Sequence, residues 1–271
     1  MKIAAIGTLK GGTGKTTMTF NLAGVLAEKA KVCLIDVDPQ CNLSNNVGVD
    51  ITEQDVFSSR EIFELPGVLP ENLIIKAPIE ELPNLDIIPG NIKLVATELH
   101  ISNRAARERI LRNYIEDHMA VFGQYDYILI DTNPSMGIVN QNAFLAADSV
   151  ILVTDVDDNS RVGLHLFMYL WEEIRRDLRK PDNVKALIVN KGDLTTKITK
   201  DIWEYCSEDE DLSTLLVPQM VRAKVAYAKA ALARVPINKY VGANKAERDA
   251  AQEAADEIRN VVEYLTGKEV F

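Results

Sequence analysis

Eight residues near the start of the chain, Lys10-Gly11-Gly12-Thr13-Gly14-Lys15-Thr16-Thr17, constrain the fold more than any other feature. A short apolar run, residues 2–7, stands before them. After them Met18, Leu22, Val25 and Leu26 recur at helical spacing between Thr16 and Glu28. A strand, a glycine-rich turn and a helix in that order gather several backbone N–H groups around one anion. Gly11, Gly12 and Gly14 permit a tight path and a close approach that a Cβ would obstruct. Lys15 is placed to reach β- and γ-phosphate oxygens, and the Thr16 hydroxyl to ligate Mg2+. The strict pattern G-x-x-x-x-G-K-[ST] is not met, because Leu9 takes the place of its first glycine. The spacing nevertheless predicts a site for the phosphates of a nucleoside triphosphate, Mg·ATP.

The rest of the chain repeats the same grammar. Val32–Ile35 and Tyr127–Ile130 are continuous apolar runs that end in carboxylates, Asp36 and Asp131. Further runs at Leu85–Pro89, Ser149–Val153, Ala186–Val189 and Leu215–Val217 alternate with helical patterns, and a charged helical stretch fills roughly Ile92 to Met119. Continuous apolar strands between helices predict an α/β fold, a mostly parallel twisted sheet with helices on both faces, in one domain over residues 1–271. Ligands of such sheets bind beyond the carboxyl ends of the strands. Asp36, Asp38 and Asp131 are expected there, Asp36 and Asp131 near Mg2+ and Asp38 near a hydrolytic water.

Composition narrows the setting. Hydrophobic residues make up 47% and charged residues 26% of 271, ordinary for a packed soluble chain. No run reaches the roughly 18 apolar residues of a membrane span, and Lys10 interrupts the N-terminal run too soon for a signal peptide. Cys33, Cys41 and Cys206 have no CxxC spacing and point to a reducing cytoplasm. His100, His118 and His165 lack metal-ligand spacing. The net charge of −10 opposes a whole-molecule attraction to nucleic acid. Yet Leu212–Ala246 carries six cations and no acid, leaving −16 elsewhere. Arg222 and Lys229, seven apart, would share a helix face with Lys224 off it, a candidate surface for sequence-independent DNA binding.

With Lys10 preceding Lys15 by five positions, the loop resembles the deviant Walker A family, whose motif is K-G-G-x-G-K-[ST]. Asp36-Val37-Asp38-Pro39-Gln40, with Asn42 and Ser44 beyond, resembles that family's first switch. Thr132-Asn133-Pro134-Ser135-Met136-Gly137 is similar to switch II of ParA proteins, with Asn133 where those usually carry proline. Leu85–Gly90 and Asn142–Val150 extend the likeness to ParA/Soj-type partition ATPases across nearly the whole chain. The resemblance implies a homodimer formed with ATP, Lys10 reaching the partner's nucleotide, non-specific DNA binding, a ParB-like activator and a cytoplasmic, nucleoid-associated setting. It also implies adenine contacts from Asn190 and from Pro218. Thr154–Asn159 departs from the family's Pro- and Glu-containing turn, and Gly192–Lys200 from its Asp-x-Arg loop.

Three rivals share the phosphate loop. An iron-protein-like reductase needs two cysteines near the dimer axis, and only Cys41 is suitably placed. A MinD-like membrane regulator needs a basic amphipathic C-terminal helix, whereas Glu257–Phe271 has an acidic bias, so no stable membrane association is expected. An ATP-gated adaptor positioning a non-DNA cargo is the third.

Overall fold

The apolar runs become one seven-stranded sheet: β1 (Lys2–Gly7), β2 (Val32–Asp36), β3 (Ile75–Lys76), β4 (Leu85–Ile88), β5 (Tyr127–Asp131), β6 (Ser149–Thr154) and β7 (Val184–Val189). The computed structural model describes residues 1–50, 56–157 and 159–271. The strand order is β3-β4-β2-β5-β1-β6-β7, parallel throughout except for the short edge pair β3–β4. The helices are α1 (Lys15–Leu26), α2 (Asn42–Asn46), α3 (Ser59–Glu64), α4 (Pro70–Leu73), α5 (Leu94–Ile101), α6 (Ile110–Asp117), α7 (Met119–Phe122) and α8 (Ile138–Ala146). They continue with α9 (Ser160–Asp177), α10 (Lys197–Glu208), α11 (Val225–Leu232) and α12 (Lys245–Gly267).

Strand alternation divides the core into two layers. Ala4, Ile6, Leu34, Leu129, Ile151 and Val153 face one side, where α1, α11 and α12 pack. Ile3, Ala5, Ile35, Ile130, Val150 and Leu152 face the other, with Phe144, Phe167 and Trp171 from α8 and α9. Both faces are covered, which is why the strands read as unbroken apolar runs.

Three sequence expectations are corrected. The stretch from Ile92 to Met119 is not one helix but α5, a 3-10 turn at Arg107–Arg109, and α6. Its break lies at residues 102–106, where Ala106 has φ +52 and the Arg107 guanidinium donates to the Ser102 carbonyl instead of lying on a helix face. Leu215–Val217 is no strand; only Leu216 bridges Leu187. Arg222 precedes α11, which starts at Val225, so it shares no helix face with Lys229.

Pro236 and Asn238 wedge against α1 at Gly24, where an added Cβ would lie 2.5 Å from Pro236 Cβ and 2.7 Å from Asn238 Oδ1. Alanine normally favours a helix interior over glycine by about 1 kcal/mol, but overpacking costs about 1–3 kcal/mol. Gly24→Ala should therefore lower the urea midpoint; a raised midpoint would show that the contact yields freely.

Candidate nucleotide site at the strand ends

The loop between β1 and α1 bends through left-handed residues at Gly12 (φ +78) and Gly14 (φ +94), where L side chains are strained. Gly11 carries no such demand: a Cβ there would meet only Pro134 Cγ at 3.9 Å. Gly14 caps α1 without a side-chain bond, and no acid sits in the first turn, so the helix's leading amides remain suited to an anion. Thr13 Oγ1 is buried there without a hydrogen-bond partner among the described residues.

Around this loop the side chains converge. The Thr16 hydroxyl donates to Asp131 Oδ2 at 2.7 Å, and Thr19 donates to Asp131 Oδ1 at 2.9 Å. Lys15 is 6% exposed, and burial lowers its pKa against the opposing pull of Asp131 and Asp38. Asp36 and Asp131 stand opposite each other in the β2–β5 register, both fully buried. Burial first, and then the charge of Asp131, pushes the Asp36 carboxyl up; burial likewise raises Asp131. Asp36 Oδ2 accepts from Ser44 N at 3.0 Å and Ser44 Oγ at 2.7 Å, while its Oδ1 accepts from Asp38 N at 3.1 Å. Asp38 is 6% exposed, and its Oδ1 accepts from Gln40 N at 2.8 Å. Two buried carboxylates beside a hydroxyl, with a cation at one end only, form a donor set of hard oxygens that fits Mg2+.

From the other side of β1, Asn190 Nδ2 donates to the Thr13 carbonyl at 2.8 Å and Lys191 Nζ to the Gly12 carbonyl at 2.5 Å. Thr17 and Asn190 line a cavity of about 440 Å3 with Ala223, Lys224 and Val225. Pro218 lies outside that cavity. It lines a separate groove of about 900 Å3 with Trp203 and Met220, next to α10 and α12.

Lys10 is held within its own chain. Its ammonium lies 2.7 Å from Asp155 Oδ1 and 3.2 Å from Asp157 Oδ1. Partial burial works against the charge, but the bonds from the two aspartates outweigh it and raise the Lys10 pKa. These aspartates follow β6; Asp158 lies outside the described residues. Asn133 is pinned too, its carbonyl and side-chain oxygens accepting from Asn140 Nδ2 at 2.8 and 2.9 Å.

The basic segment is not free of acids in space. Lys224 Nζ lies 2.8 Å from Glu253, Lys229 Nζ lies 2.7 Å from Glu247, and the Arg222 guanidinium pairs with Glu257, all three carboxylates on α12. The carboxylates lie 18 to 35 positions away in the chain, so a local charge count misses them. Thr19, Asp155, Asp157 and Lys191 also escaped the sequence reading. Only Thr19 left a signal, since it follows Thr16 by three on α1 and so shares its face.

A family described as an AAA domain matches residues 1–184. The chromosome partitioning protein ParA of Caulobacter vibrioides is 30% identical over 232 residues, spanning 83% of this chain and 84% of that protein. The sporulation initiation inhibitor protein Soj of Bacillus subtilis is 30% identical over 224 residues, 82% of this chain and 85% of that one. Apo McdA of Cyanothece superposes with a TM-score of 0.84 over 98% of this chain and 99% of its own, at 19% identity. A plasmid partition protein of Borrelia burgdorferi bound to AMPPNP superposes with a TM-score of 0.74, at 24% identity and over 98% and 99% of the two chains.

Thr19→Val keeps the shape of the side chain and removes one donor from Asp131. Partners that orient metal-ligating groups are worth about 10- to 100-fold in metal affinity. Mg2+ titration of the nucleotide-loaded variant should show a loss in that range, and an unchanged titration would leave Thr19 with packing alone.

Proposed function

We propose, on the premise that this chain belongs to the ParA family of AAA-domain proteins, that it is a Mg·ATP-dependent ATPase. ATP closes it into a homodimer that binds DNA without sequence preference, and a ParB-like partner stimulates hydrolysis and release. The observation that carries this reading is the convergence of Lys15, Thr16, Asp36, Asp38 and Asp131 on a single helix N-terminus. Lys15 and the leading amides of α1 hold the β- and γ-phosphates. Thr16, Asp36 and Asp131 hold Mg2+, which supplies positive charge against the phosphate oxygens. Asp38 orients the attacking water. Lys10 exchanges Asp155 and Asp157 for the partner's nucleotide.

DNA binding is proposed for the surface bearing Arg222, Lys224 and Lys229, doubled by dimerisation. Their carboxylate partners on α12 favour a second reading as well, an ATP-gated adaptor for a cargo other than DNA. Among the described residues no helix is long and apolar enough to cross a membrane.

Light scattering and calorimetry separate the roles. Lys15→Ala should lose ATP binding, because the buried cation on the phosphates is gone. Lys10→Ala should bind ATP and stay monomeric, and Asp38→Ala should bind ATP and accumulate as a dimer that does not turn over. A fully dimeric Lys10→Ala protein would contradict a lysine acting in trans.

Neutralising Arg222 and Lys224 together to glutamine spares the fold a like-charge clash with Glu257. The ATP-loaded dimer of this variant should lose DNA affinity at least about ten-fold, with a salt slope shallower by about one per lost phosphate contact. An unchanged slope would favour the adaptor reading.

A further inference from the structure

Two helices that take no part in the phosphate chemistry, α10 and α12, line one groove of about 900 Å3. Its wall on α10 runs from Lys200 to Ser207 and its wall on α12 from Glu253 to Asn260. Each helix contributes at i, i+3, i+4 and i+7, so each wall is a single helix face. At about 1.5 Å per residue each wall is about 10 Å long, close to two helical turns. The apolar lining comes from half-buried Trp203, exposed Pro218 and buried Met220. Met220 sits against the Gly192 backbone, where an added Cβ would lie 1.9 Å from its sulfur, so glycine is required at that contact.

Four carboxylates and two cations share this lining. One of the cations is already committed. The Arg222 guanidinium pairs with one oxygen of Glu257, whose other oxygen accepts from Arg222 N at 3.1 Å. The second, Lys200, is exposed and makes no ion pair among the described residues. Glu253 spends one oxygen on Lys224 at 2.8 Å, and its Oε1 accepts no hydrogen bond among the described residues. Asp256 is exposed and touches only Gln252 and Arg259 of its own helix. Glu204, across on α10, is exposed and its carboxylate has no partner among the described residues. Open acid therefore stands on both sides of the apolar lining.

Such a surface repels the phosphates of nucleic acid and of anionic lipid, and a second copy of this chain brings a net charge of −10. Its complement is an apolar stripe flanked by cations. We propose that the groove docks a basic amphipathic helix of a partner protein. The aliphatic face of that helix lies on Trp203, Pro218 and Met220, and its lysines or arginines meet Glu204, Glu253 and Asp256. A helix held in a groove anchors itself through residues three and four apart, the spacing that both walls present. The Met220 thioether adapts to varied aliphatic anchors, and the carboxylates select against an acidic helix of the same shape. The proposal goes beyond the ATPase reading and does not rest on it, because no residue of the glycine loop or of the carboxylate set lines this groove.

Trp203 reports on its own groove, since the other tryptophan, Trp171, is buried in the core. The probe is a tryptophan-free amphipathic helix of leucine and lysine about 15 residues long, near the lower limit for an isolated helix. Titrated into the full chain, it should bind one to one and shift the Trp203 emission. The same helix with glutamate in place of lysine should not bind, and one with serine in place of leucine should bind at least about ten-fold more weakly. Glu204→Lys combined with Asp256→Lys reverses the charge at an exposed position on each wall. That variant should bind the lysine helix about ten-fold more weakly, because each change turns an attraction into a repulsion. Equal binding by the charge-reversed variant, equal binding of the serine helix, or an unchanged Trp203 emission would each overturn the proposal. So would nucleotide-free self-association, seen by light scattering, that the charge-reversed variant abolishes; the groove would then belong to a second copy of the chain.

Discussion

Two carboxylates share the buried carboxyl ends of adjacent strands, and most of the surrounding architecture answers to them. Asp36 and Asp131 are directly paired in register and fully buried. Like charges in a low dielectric repel, and each loses its hydration. The fold offsets this with donors aimed from two helices: Ser44 from α2, and Thr16 and Thr19 with the nearby Lys15 ammonium from α1. That demand ties the end of β2 to the end of β5 and sets where α1 must begin. A divalent cation is the natural completion of such a set, which is why an arrangement unfavourable to stability suits a site for Mg2+.

The glycine loop is held from the opposite side. Its carbonyls at Gly12 and Thr13 point away from the anion site and would be left unsatisfied if the loop stood alone. Asn190 and Lys191 take them up. The loop's amides are thereby kept facing inward before any ligand arrives, and this pre-organisation lowers the ordering cost of binding.

How much of this was legible in the sequence depended on the range of the interaction. The strands at Val32–Asp36 and Tyr127–Asp131 were readable because burial on both faces leaves unbroken apolar runs, and the phosphate loop because its glycines and lysines are consecutive. The helical break after Ile101 was not, since the charged residues there are equally at home on a helix surface or bonded to carbonyls, as Arg104 and Arg107 are. The basic character of Leu212–Ala246 was true of the chain and misleading about the surface, because α12 folds its glutamates back onto it. The family resemblance implies a base contact from Asn190; its amide nitrogen also donates to the Thr13 carbonyl, 177 positions away. Nothing in local spacing announces such a pairing.

The hold of Asp155 and Asp157 on Lys10 has a consequence for concentration. In the proposed dimer each lysine must leave its own carboxylates before it can cross, and the complex needs both to do so. A partly exposed ion pair is worth roughly 1 kcal/mol, which leaves about one lysine in six released at any moment. Because two protomers must be released together, that fraction enters squared, and about one encounter in forty finds both ready. On that proposal the free chain carries its own internal competitor, one that would set how crowded the protein must be before it pairs. In the proposed dimer the turn after β6 would act as a threshold written in two aspartates.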